Sequence, residues 1–163
     1  MIIIPIKEYY IRSEVEKDVS YGYIFTDNYQ RSSGNIKVDR NSWYYKIFIK
    51  DLLKVDLFYG RKTQAVIRSL NNAFPITTMV DGFGTQWNDK LFDKYKTIID
   101  FEIELIKKGY EKFNFKGIKY NDERQFGDGA ISQMKFSAPK CWEYLNEKLL
   151  EISIDNENIQ EGR

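Results

Sequence analysis

Proton transfer at neutral pH most often runs through imidazole, and this chain of 163 residues contains no histidine. Histidine is the one side chain whose unperturbed pKa lies near neutrality. Its absence removes Ser-His-Asp and Cys-His nucleophile systems, the HExxH zinc site and imidazole relays. The single thiol, Cys141, leaves no internal disulfide and no cysteine zinc cage. The chemistry that survives belongs to carboxylates, lysine, arginine and tyrosine.

Each surviving chemistry needs a spacing. A carboxylate–lysine nuclease pairs an acid with Glu-x-Lys or Asp-x-Lys, the acids holding Mg²⁺ and the lysine steadying a hydroxide. No acidic residue here is followed two positions later by lysine. Asp56 lies between Lys54 and Phe58 and reads as half of a solvated ion pair. Asp100, Glu102 and Glu104 crowd one stretch of a helix, with no second acidic helix to complete a bundle metal site. Glycoside chemistry needs two carboxylates facing across a cleft, and no pair is placed that way. Gly82-Phe83-Gly84 and Gly127-Asp128-Gly129 lack the basic or hydroxyl residues that finish a phosphate loop, so both read as turns. The expectation is a non-catalytic protein with no metal and no cofactor.

Binding is better supplied. Basic and acidic side chains number 25 and 24, but they are unevenly spread. Residues 30–68 carry nine bases (Arg31, Lys37, Arg40, Lys46, Lys50, Lys54, Arg61, Lys62, Arg68) against three acids. Residues 140–163 carry three bases against six acids. Tyr44, Lys46, Phe48, Lys50, Lys54 and Phe58 fall on one parity of an extended run, lysines interleaved with rings. With Arg61, Lys62 and Arg68 they form the candidate binding surface. Such a surface docks an acidic protein partner, or tracks a single nucleic-acid strand with lysines on phosphates and rings on bases. A solvated face with lysines lying over packed rings is the bland alternative. The net charge of +1 argues against an obligate polyanion binder. The favoured function is therefore stoichiometric occlusion of a protein partner, as by an immunity protein or a phage anti-defence inhibitor. The alternative is a nucleic-acid-binding accessory protein, with a histidine-free carboxylate enzyme behind both.

The elements that must carry these residues follow from periodicity. Trp43 to Tyr59 alternates with period two, broken at Lys50-Asp51, which predicts a hairpin of 43–49 and 53–59. Tyr21, Tyr23 and Phe25 alternate upstream, so the first third reads as an antiparallel meander, with 8–19 ambiguous. Arg61 to Phe74 takes helical period up to Pro75, and Ile76–Val80 is strand-like. A long helix is predicted near 86–108, with Gly109 just past its end. A bulged hairpin is predicted between Phe113 and Phe136, and a final helix from about Ser137 with Pro139 in its first turn. The expected architecture is α+β: an antiparallel sheet, N-terminal meander plus later hairpin, with two or three helices on one face. Residues 1–154 read as one domain and 155–163 as a polar, frayed tail. No stretch reaches the roughly 20 apolar residues of a membrane helix. The start lacks the basic n-region of a secretion signal, so a cytoplasmic protein with no membrane partner is expected.

Overall fold

The fold is taken from a computed structural model, which describes residues 1–28, 67, 70–79, 86–121 and 130–161. In chain order the elements are β1 (Ile3–Ile6), α1 (Arg12–Lys17), β2 (Tyr21–Asn28) and β3 (Ala73–Met79). A 3-10 turn over Asp89–Leu91 then leads into α2 (Phe92–Phe113), β4 (Gly117–Asn121), α3 (Ala130–Ser137) and α4 (Pro139–Glu161). The four strands form one sheet in the order β1-β4-β2-β3, and every neighbouring pair is parallel.

The expected antiparallel sheet is thus overturned, although the mixture of helix and sheet stands. Period two reports an extended backbone with an inside and an outside; it does not report the direction of the neighbour. Parallel neighbours need long crossovers, and the chain supplies them: α1 lies between β1 and β2, and α2 between β3 and β4. Consecutive residues are buried in Tyr23-Ile24-Phe25 and from Ala73 to Thr78, as in strands covered on both faces. Three local expectations fall with the first. Residues 130–137 form α3 rather than the second strand of a hairpin, and Phe113 ends α2 rather than opening a strand. Residues 73 and 74 belong to β3, not to a helix reaching Phe74. The predicted hairpin of 43–59 lies outside the described residues.

The long helix is real but displaced, running to Phe113 instead of ending before Gly109. Its C-cap is Asn114, left-handed at φ 52° and ψ 48°, a conformation that asparagine tolerates better than most side chains. The final helix begins at Pro139, where the missing N–H costs no hydrogen bond.

Alternate strand residues feed two cores. Ile24, Phe74, Ile76 and Ile118 join Tyr95, Ile98, Ile99 and Ile106 of α2 and Cys141 and Leu145 of α4. Tyr23, Phe25 and Ala73 join Val15 of α1 with Ile67 and Leu70. Helices therefore cover both faces, not one. The steps β1→β2 and β2→β3 run the same way across the sheet, and α1 shares a face with Ile67 and Leu70. The β3→β4 crossover steps back, and α2 covers the other face. A single handedness for parallel crossovers requires that arrangement.

The two outer strands each carry a proline, and the hydrogen-bond parity explains why. Tyr23 N–H donates to Asn72 C=O at 2.7 Å, so Ala73, Pro75 and Thr77 turn their backbone groups away from β2. Ala73 N–H donates to Leu70 C=O at 3.1 Å, Pro75 has no N–H, and Thr77 N–H donates to Glu102 Oε1 at 2.9 Å. Every outward donor of residues 73–77 is accounted for, as a buried strand edge requires. On β1, Ile118 N–H donates to Ile2 C=O at 2.8 Å, which turns Ile3 and Pro5 outward. Proline occupies the outward position on both edges.

Candidate functional site

The nine residues singled out from the sequence, Tyr44, Lys46, Phe48, Lys50, Lys54, Phe58, Arg61, Lys62 and Arg68, all lie outside the described residues. Among the described residues, two polar clusters and one sheet edge remain.

The first cluster sits at the amino-terminal side of the sheet, on the α1 face. Lys119 of β4 is in register with Tyr23 of β2, so both project from the same face. Lys119 Nζ lies 3.0 Å from Asp18 Oδ2 and 4.2 Å from the centroid of the Tyr21 ring. Tyr23 donates its hydroxyl to the same Asp18 oxygen at 2.5 Å. Tyr10 packs edge-on against Tyr23, ring centroids 5.4 Å apart, and donates to Ile24 C=O at 2.6 Å. Burial works to raise the Asp18 carboxyl, but the hydrogen bonds from Tyr23 and Lys119, with the lysine charge, hold it below its ordinary value. Burial and the bond to Asp18 push the Tyr23 phenol up, so it stays protonated. The carboxylate, the phenol and the lysine thus hold one another through hydrogen bonds and charge. This cluster ties the α1–β2 corner to β4, helped by the buried Asn72 amide, which donates to Val15 C=O at 2.8 Å and Asp18 C=O at 3.2 Å.

The second cluster lies inside, where α2 meets β3. Glu102 is fully buried and accepts from both the backbone N–H and the hydroxyl of Thr77, at 2.9 and 3.2 Å. Tyr95, on the same helix and fully buried, is raised by burial and then by the charge of Glu102. The Cys141 thiol, also buried, is pushed up to about 11, chiefly by burial, which leaves it a packing group rather than a nucleophile. No group of three or more Cys, Asp or Glu side chains among the described residues is placed to hold a metal ion. Of the acids grouped in the sequence, Glu102 is thus a structural acceptor. Asp100 instead accepts a hydrogen bond from Tyr144 of α4, and Glu104 pairs with Lys108 at 3.8 Å.

The third feature is topological. In open parallel sheets, ligands bind beyond the carboxyl ends of the strands, where adjacent strands send their connections to opposite faces. β2 meets that condition on both sides. Ile67 and Leu70, which follow β2 in the chain, pack on the α1 face, whereas α2, which follows β3, and α4, which follows β4, pack on the other. The strand ends here turn polar: β2 closes on Thr26-Asp27-Asn28, β4 on Asn121, and β3 carries buried Thr77 and Thr78. Register with β3 also slips between Asp27 and Asn28, a kind of irregularity that favours functional edges. Sequence reasoning missed this edge because it turns on strand direction, which periodicity does not carry.

The chain belongs to DUF7831, a family of unknown function, which matches it over residues 5–148. No curated protein and no solved structure matches it.

Proposed function

We propose that this member of DUF7831 acts by binding rather than turnover, and that it takes a small polar ligand at the carboxyl edge of its sheet. The observation that carries this reading is the position of β2, which ends on Thr26-Asp27-Asn28 between two parallel strands followed by helices on the face opposite Ile67 and Leu70. The test is thermal unfolding against a panel of sugars, amino acids, nucleosides and their phosphates. A ligand at about 100 times its Kd adds about 2.7 kcal/mol to stability. One compound class is expected to raise Tm dose-dependently in the parent chain and in Val19→Arg, at the opposite edge, and to lose its effect in Thr26→Arg. A panel with no shift, or a shift that survives Thr26→Arg, overturns the reading.

A second reading is the occlusion of a protein partner, of the immunity or anti-defence kind. It is favoured by four large apolar side chains within the first nineteen residues that stand in solvent: Ile2, Tyr9, Ile11 and Val19, exposed by 47, 60, 51 and 70%. It expects one dominant protein in a pull-down from the native host, and loss of that protein on Ile11→Asp with Val19→Asp. Recovery of nothing, or of nucleic acid alone, counts against it.

A further inference from the structure

We draw no further inference here: the strongest candidate, the acidic outer face of α4 formed by exposed Glu143, Glu147 and Glu151 beside exposed Leu150, carries none because nothing in the structure shows what covers it.

Discussion

Two carboxylates show how little an acid's presence in the sequence says about its work. Asp18 is partly exposed and paired, and its folded pKa is depressed. An acid of that kind contributes stability above its unfolded pKa of about 3.9, and the contribution fades as pH falls through the lower folded value. Asp18→Asn is therefore expected to cost about 1 kcal/mol at neutral pH. The gap from the parent should close as urea midpoints are measured at successively lower pH, below about 4. A gap that stays constant down to pH 2 would remove the carboxylate's role. Glu102 is different, because its partner is a buried backbone N–H on the outward side of β3. Glu102→Ala should cost about 2–4 kcal/mol in denaturant unfolding. Glu102→Gln, which keeps an acceptor, should cost less than half as much. Equal costs would mean that charge, not the acceptor, is what matters there. Neither role was legible in the sequence. Asp18 needs Lys119, a hundred residues away, and Glu102 needs a strand edge whose direction was misread.

At the scale of elements, the helices were legible and the sheet was not. The apolar ridge of α2, including Tyr95, Ile98, Ile99, Leu105 and Ile106, is buried as its 3.6-residue spacing demands. Its end was misplaced because Gly109 resembles a helix stop, whereas here glycine is packed inside and Asn114 supplies the left-handed cap. α3 was misread because an eight-residue helix with residues such as Ala130, Ser132, Met134 and Phe136 also satisfies period two. Gly22 carries a sharper element-scale consequence. It stands in β2 opposite Ile118, and a Cβ there would come 2.5 Å from Ile118 Cδ1 and 2.8 Å from Phe74 Cε2. These atoms belong to a core that α2 presses onto the sheet, so Gly22→Ala is expected to destabilise by about 1–3 kcal/mol. Trimming Ile118 to Val in the same chain should recover part of that loss in a double-mutant cycle. Strict additivity would place the clash elsewhere.

For the whole molecule, the parallel order moves attention from a sheet face to a sheet end. The lysine–aromatic run at 44–58 keeps its own test. If it tracks nucleic acid, the chain binds oligonucleotides at low salt. The logarithm of affinity then falls by about 0.7 per phosphate contact per decade of salt on a single strand. The triple change Lys46→Glu, Lys50→Glu and Lys54→Glu should abolish that binding. No binding at low salt removes the reading. No described helix is long and apolar enough to cross a membrane. The two proline-bearing edges of the sheet have an outcome that reaches beyond packing. Outward amides on edge strands normally trade their protons with solvent quickly. Thr77 sits on such a strand, yet it is fully buried and its proton is held by an equally buried carboxylate. It should exchange only when the whole chain opens, and so report the global free energy. Ile3 is outward on the other edge and only partly covered, so it should exchange through local fraying, orders of magnitude sooner. One sheet would then hold two clocks, and binding at its carboxyl edge should slow the first with little effect on the second.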